Sequence, residues 1–153
     1  MLSNISITPI DPTQLVVPVE EVERELVVDY PVSEDDIKRE IQAATQALQE
    51  FTGLAFVPST VSLTAQQRSR SEYFILPYSN GAVDENIRGN RYYTNESSLD
   101  ITYTCGEEPT DWMKQGVLKY VVDLFENRGD IKHEVGYDAK QYCKNFISHG
   151  SFF

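Results

Sequence analysis

The sequence has 153 residues, of which 41% are hydrophobic, and it carries a formal net charge of −11. This length suits a single domain spanning residues 1–153, with a core of ordinary size. Apolar stretches such as 116–125 contain charges and fall short of the roughly 20 residues of a membrane span, which excludes a helical membrane protein.

Acidic residues are concentrated near the N-terminus. Residues 11–50 contain 11 acidic and 3 basic side chains, whereas residues 51–153 contain 13 and 10. Such a surface repels a DNA phosphate backbone, although it is also typical of a surface that only confers solubility.

Cys105 and Cys143 lie far apart and outside any CxxC spacing, which argues against a disulfide framework or a zinc site and favours a reducing compartment. The N-terminus lacks the basic and apolar blocks of a signal peptide.

The first elements in chain order are an extended arm and a short helix. Three prolines and the absence of a sustained apolar period predict an extended arm over residues 1–18. A short helix is predicted over Val19–Leu26, because Val19, Val22 and Leu26 share one helical face.

A long amphipathic helix follows. Ser33 is a good N-cap, the acids after it suit the positive end of the helix dipole, and Gly53 suits the C-terminal stop. The apolar positions recur at spacings of three and four: Ile37, Ile41, Ala44, Leu48 and Phe51. The opposite face is polar: Lys38, Gln42, Gln46 and Gln49.

The middle of the sequence predicts strands. They are expected at Thr60–Thr64, Glu72–Leu76, Arg91–Thr94 and Ser98–Cys105, from alternating apolar residues and β-favouring residues. Asn80-Gly81 indicates a turn, and residues 66–71 and 81–90 indicate polar loops.

Two further helices complete the predicted architecture. The first runs from Asp111 to about Arg128 and is apolar around most of its circumference, which is typical of a helix buried in a core or a subunit interface. Gly116 in its interior predicts a close contact with another element. The second covers Ala139–Ile147, within a C-terminal docking tail of residues 130–153. The sequence therefore predicts an α+β fold that is mainly α, with about four helices and a short antiparallel sheet or hairpin.

Catalytic and cofactor motifs are missing from the sequence. It contains no G-x-S-x-G, P-loop or G-x-G-x-x-G pattern, and His133-Glu134 does not continue into H-E-x-x-H. We therefore predict no enzymatic activity, no catalytic residue, no metal and no cofactor. One basic and aromatic set could form a nucleic-acid surface, but the interspersed acids favour a solvated loop or a protein-contact loop. It comprises Arg68, Arg70, Tyr73, Arg88, Arg91, Tyr92 and Tyr93.

Three stretches resemble the head–tail connector (head-completion adaptor) family of siphovirus-like tailed phages. The first comprises Glu21–Val28 and Ser33–Gly53, which is similar to the family's opening helix pair with its Thr-Gly step. The second is Asp100–Gly106, similar to the family's last strand. The third is Asp111–Arg128, whose Phe-Glu-Asn-Arg ending resembles the end of the family's long helix. Residues 66–97 and the tail after Arg128 have no counterpart in this resemblance.

The resemblance implies a structural role in the virion neck, at the portal vertex of the capsid, after assembly in the host cytoplasm. Subunits would form a closed ring, a dodecamer, which binds the portal protein, extends the DNA channel and receives a stopper or tail-completion protein. DNA would pass through the lumen without specific binding.

We hypothesise that Glu34, Asp35 and Asp36 face this channel, where carboxylates would avoid phosphate contacts. Glu126 and Arg128 could pair between subunits, although Arg128 also suits a helix C-terminus. The full hypothetical interface with a neighbouring subunit or the portal is Trp112, Val117, Tyr120, Val121, Phe125, Glu126, Arg128, Tyr142, Phe146, Phe152 and Phe153. Two alternatives are an acidic DNA mimic or host-factor-binding protein, and a small enzyme without a recognised motif.

Overall fold

A computed structural model describes residues 2–66 and 72–147. This part of the chain contains four helices and two antiparallel sheets of three strands each, which confirms the predicted α+β class. The described residues form two compact units. One, which we call the β unit, comprises residues 2–14, 53–66 and 72–108; the other, the helical unit, comprises residues 15–52 and 109–147.

The strands all belong to the β unit and the helices to the helical unit. The strands are β1 Leu2–Pro9, β2 Ser59–Gln66, β3 Tyr73–Ile75, β4 Ile87–Arg88, β5 Arg91–Tyr93 and β6 Ser98–Cys105. The helices are α1 Val19–Glu25, α2 Glu34–Thr52, α3 Asp111–Glu126 and α4 Tyr137–Ile147.

The larger sheet has the order β1-β2-β6, and the smaller one has the order β3-β5-β4. Along β2 the side chains of Val61, Leu63 and Ala65 are buried and alternate with polar ones, because successive residues of a strand point to opposite faces. The core of the β unit consists of Ala55, Val61, Leu63, Ala65, Phe74, Leu76, Leu99, Tyr103 and Cys105. Both sheets supply residues to this core.

An asparagine side chain joins two loops of the β unit. Asn80 Oδ1 accepts a hydrogen bond from Ala55 N at 2.7 Å, and Asn80 Nδ2 donates to Ala55 O at 2.9 Å. The side chain thus replaces the two backbone bonds of a strand pair. The predicted turn at Asn80-Gly81 is confirmed, since Ala82 N donates to Ser79 O at 3.0 Å and Gly81 has φ +77°. It does not join paired strands.

The N-terminal arm includes a strand that the sequence analysis did not predict. Within the predicted extended segment 1–18, β1 pairs with β2 in a continuous antiparallel register, from Leu2 opposite Gln66 to Pro9 opposite Ser59. The prolines interrupt the chain only at the end of this strand and after it. The short strand β4 was also not predicted.

The helical unit follows the predicted amphipathic pattern closely. Ser33 Oγ accepts a hydrogen bond from Asp36 N at 3.1 Å, as expected of an N-cap, and Gly53, with φ +72°, follows the last residue of α2. Two positions differ from the prediction: Phe51 is 40% exposed, whereas Gln49, assigned to the polar face, is buried. The interior of the unit includes Val22, Ile37, Ile41, Ala44, Leu48, Met113, Val117, Val121, Phe125, Ala139 and Cys143.

Gly116 permits a close contact between α3 and α4. A Cβ atom at Gly116 would lie 2.5 Å from Cys143 Sγ and 3.6 Å from Leu48 Cδ1. The predicted close contact is therefore confirmed, and its partner is the C-terminal helix. Within the predicted docking tail, α4 occupies Tyr137–Ile147 and packs against α3 and α2.

We expect Gly116→Ala to destabilise the protein and Cys143→Ala to suppress that effect. Overpacking costs about 1–3 kcal/mol, while alanine in place of glycine in a helix gains about 1 kcal/mol. In the double variant the new methyl group occupies the volume vacated by Sγ. Urea unfolding of the wild type, both single variants and the double variant should give a favourable coupling energy of at least about 1 kcal/mol. Strictly additive effects would contradict the contact.

Candidate functional site

The long helix α3 divides into a buried and an accessible face. Val117, Val121 and Phe125 have relative exposures of 0%, 0% and 1%. These three side chains, which the sequence analysis placed in a subunit interface, belong instead to the interior of the helical unit. Burial on this face is periodic, at spacings of four residues, so the sequence pattern could not separate an internal contact from an external one.

An aromatic cluster is accessible where α3 and α4 lie side by side. The rings of Trp112 and Phe146 are stacked with centroids 5.7 Å apart, and the Tyr142 ring lies 5.0 Å from Phe146. Phe146 is 44% exposed, and the other two are half-buried. Of the hypothetical interface residues, the structure brings these three together. Phe152 and Phe153 lie outside the described residues.

The Phe-Glu-Asn-Arg ending of α3 contacts neighbouring segments of its own helical unit. Glu126 Oε1 accepts a hydrogen bond from Val27 N at 3.2 Å, and the Arg128 guanidinium lies 5.7 Å from the centre of the Tyr30 ring. Tyr30 in turn donates its hydroxyl to Phe125 O at 2.6 Å. Glu126 and Arg128 thus bind the α1–α2 connection, which accounts for both residues without the hypothetical intersubunit ion pair.

Asp123 organises the connection between α3 and α4. Its Oδ1 accepts from Asn127 Nδ2 at 2.7 Å and lies 2.5 Å from His133 Nε2, while its Oδ2 accepts from Gly136 N at 2.8 Å. Gly136 has φ +83°, and a Cβ atom there would lie 2.2 Å from the Tyr120 ring. Burial raises the pKa of the half-buried Tyr120 hydroxyl, and the nearby carboxylates of Asp123 and Glu40 raise it further. The sequence analysis missed this cluster.

An open groove of about 520 Å³ runs along the accessible side of α3. Its lining includes Leu118 and Val122, which are half-buried. Four carboxylates line it, from Glu25, Asp123, Glu126 and Asp138, together with Lys119 and His133. The lining of the groove therefore combines apolar side chains with a predominantly acidic set of charged groups.

The predicted channel acids lie in the first turn of α2. Glu34 pairs with Lys38 at 3.2 Å and Asp36 with Arg39 at 2.5 Å, whereas Asp35 is exposed. A hydrogen bond from Ser33 lowers the pKa of the Asp36 carboxyl, and Arg39 lowers it further. These pairs partly offset the negative charge that the sequence analysis assigned to this segment.

Basic and aromatic side chains meet in the smaller sheet of the β unit. The Arg91 guanidinium lies 4.5 Å from the centre of the Tyr73 ring, and that of Arg88 lies 5.6 Å from the centre of the Tyr93 ring. Arg68 and Arg70, from the same predicted set, lie outside the described residues.

Both cysteines are free, and burial raises the pKa of each thiol from 9.0 to about 11. Burial likewise raises the pKa of Tyr103. Neither thiol has the lowered pKa typical of a nucleophilic cysteine.

We expect the raised thiol pKa values to make stability fall under alkaline conditions. The folded protein keeps both thiols protonated, so their contribution is full below pH 9 and is lost as the pH rises from 9.0 to about 11. Between pH 8 and pH 10.5, the urea midpoint of unfolding should decrease less for the double variant Cys105→Ala/Cys143→Ala than for the wild type. Equal losses would contradict this prediction; the variant retains every tyrosine and so controls for tyrosine ionisation.

Within residues 2–66 and 72–147, no group of three or more His, Cys, Asp or Glu side chains is arranged to hold a metal ion. No helix in the same residues is long and apolar enough to cross a membrane. No family model, curated protein or solved structure matches the chain. The site is therefore defined by its geometry: an aromatic cluster and an acidic groove on the helical unit, and a basic, tyrosine-lined hairpin on the β unit.

Proposed function

We propose that the chain is a structural subunit of the head–tail connector of a tailed phage. The observation that carries this proposal is the arrangement of the segments that resemble that family. Glu21–Val28, Ser33–Gly53 and Asp111–Arg128 provide α1, α2 and α3, which pack against one another in the helical unit, and Asp100–Gly106 contains most of β6. An adaptor needs a packed scaffold with accessible contact surfaces, and the packing of these three helices supports that role.

The accessible surfaces support a binding role. The cluster of Trp112, Tyr142 and Phe146 presents aromatic area at the surface, which is typical of protein–protein contacts. Among the described residues, these three and Tyr120 are the accessible aromatic members of the interface predicted from sequence. In the proposed ring, this cluster contacts a neighbouring subunit or the portal protein.

The direct test is to determine whether the protein assembles. Mass photometry and negative-stain electron microscopy should show closed rings, formed by the purified protein alone or on the portal protein of the same phage. Trp112→Ala/Phe146→Ala should weaken assembly, whereas Phe51→Ala, which removes an exposed aromatic ring elsewhere, should not. A protein that stays monomeric even with the portal protein, and that inhibits a DNA-binding enzyme, would instead support the acidic DNA-mimic alternative.

We expect the triple variant Glu34→Gln/Asp35→Asn/Asp36→Asn to assemble normally but to impair DNA passage or retention. Neutral side chains would remove the repulsion that keeps phosphates from the channel wall. The measurement is the infectivity of phage carrying the variant, together with the fraction of particles that retain DNA. Glu96→Gln/Glu107→Gln/Glu108→Gln, which neutralises three exposed acids of the β unit, is the matched control. Wild-type infectivity of the first variant would rule out this channel role.

A further inference from the structure

The hairpin formed by β4 and β5 places two like charges opposite each other. Arg88 and Arg91 are directly cross-strand, separated by the two-residue loop Gly89-Asn90. Like charges at such positions destabilise a sheet. Both side chains are exposed, and neither guanidinium has a carboxylate partner in the described part of the chain. A like-charge pair of this kind is stabilised when an anionic group binds both members.

Neighbouring aromatic rings hold the two guanidinium groups. Arg91 lies over Tyr73 and Arg88 over Tyr93, and these two rings are themselves 5.8 Å apart. Gly89, at the first loop position with φ +63°, fits the tight turn that closes the hairpin. Cation–π contacts of this kind orient the guanidinium groups but leave their N–H donors free to bind a carboxylate. The tip of the hairpin, residues 88–91, is therefore a pre-organised cationic surface.

The acidic groove on α3 has the complementary charge. Of its four carboxylates, that of Asp123 already accepts hydrogen bonds within the helical unit and Glu126 binds Val27 N. Glu25 and Asp138 are exposed and carry no ion pair among the described residues. The half-buried side chains of Leu118 and Val122 line the same groove and offer apolar surface to the aliphatic and aromatic parts of a partner.

We propose that the β4–β5 hairpin of one copy of this protein docks into the α3 groove of a second copy. Arg88 and Arg91 would bind Glu25 and Asp138 of the neighbour in a head-to-tail contact. Because the two surfaces differ, the contact is heterologous, and its repetition generates a ring when the rotation closes. This inference rests on the proposed connector function and specifies the surfaces through which its subunits associate.

A carboxylate groove suits the hairpin better than DNA does. Asp84 and Glu85 precede β4, and Glu96 follows β5, so acidic side chains flank the basic tip in sequence. A long phosphate backbone would be repelled by these flanks and by the net charge of −11. The α3 groove, in contrast, has a few separate carboxylates, which need to contact only Arg88 and Arg91 and not the acidic residues that flank them. DNA binding by the hairpin is therefore the competing outcome of the test.

The test is charge reversal on each surface, separately and together. R88E/R91E and E25K/D138K should each raise the protein concentration needed for assembly at least about tenfold, because each places like charges in contact. The two variants mixed in equal amounts should co-assemble, as should a single chain carrying all four changes. R24E/K144E, which reverses two exposed basic residues outside both surfaces, has the same net charge as R88E/R91E and should assemble like the wild type.

The readouts are mass photometry and light scattering, with circular dichroism melting curves to establish that each variant is folded. Rings formed equally well by the wild type and both reversed variants would overturn this inference and leave the connector proposal standing. Wild-type protein that forms no ring at any concentration, alone or with the portal protein, would overturn both. Loss of duplex DNA binding by R88E/R91E with unchanged assembly would assign the hairpin to nucleic acid instead.

Discussion

Replacing Gly106 with alanine should lower the free energy of unfolding by more than about 3 kcal/mol. Gly106 has φ +82°, and a Cβ atom there would lie 2.4 Å from Val57 O and 2.9 Å from Val57 C. Both are backbone atoms, so a side-chain rotation cannot relieve the overlap. Gly106 N also donates to Asn80 O at 2.6 Å, a bond that any displacement would disturb. Strain in the left-handed region and steric overlap therefore add at one position.

Gly89→Ala separates these two contributions. Gly89 also has a positive φ, of +63°, but apart from its chain neighbours no heavy atom of the described residues lies within 4 Å of its Cβ position. The substitution Gly89→Ala should therefore lower the free energy of unfolding only by the cost of a left-handed backbone conformation, roughly 1–2 kcal/mol. Urea unfolding monitored by circular dichroism gives both values. If the two variants lose the same stability, the close approach of Val57 to Gly106 is incorrect.

Phe125→Ala should destabilise the free protomer by about 3–5 kcal/mol. The Phe125 ring is 1% exposed in the interior of the helical unit, and the Arg128 guanidinium lies 5.4 Å from its centre. Truncation leaves a cavity that the surrounding helices can fill only in part. The measurement is the urea unfolding free energy, taken at a protein concentration below that of any assembly.

Phe146→Ala is the matched control, since Phe146 is 44% exposed at the other end of the same helix pair. It should cost about 1 kcal/mol or less in the free protomer and should act mainly on assembly. A stable Phe125→Ala protomer that fails to assemble would restore Phe125 to the interface predicted from sequence. A stability loss with dilute protein would place it in the core.

The helices and strand β6 could be predicted because local signals specify them. Ser33 and Thr110 cap the two long helices, and β6 occupies the predicted residues Ser98–Cys105. A cap acts through a residue three positions away, and strand alternation has a period of two, so both are visible in a short window of sequence. Glycine destabilises the interior of a helix, so Gly116 indicated a close contact at that position. The partner, Cys143, could not be inferred from the sequence.

The missed features depend on residues far apart in the chain. β1 is a strand because β2, at least 50 residues later in the chain, supplies its hydrogen bonds. The bonds of Asp123 to His133 and Gly136 likewise join segments whose approach local patterns do not reveal. For the same reason, the apolar stripe of α3 could not distinguish packing within the protomer from packing between subunits. The Tyr-Arg set of the middle region was visible in sequence, but the register that opposes Arg88 to Arg91 was not.

The chain passes between the two units at residues 14–15, 52–53 and 108–109, so each unit draws on separated stretches of the polypeptide. Neither unit can therefore be expressed alone as one continuous segment of the chain. During synthesis, β1 and α1 cannot complete their units until residues near 105 and 147, respectively, have emerged from the ribosome. The β unit can consequently be completed before the helical unit. A product truncated before β6 would leave both units without their final elements.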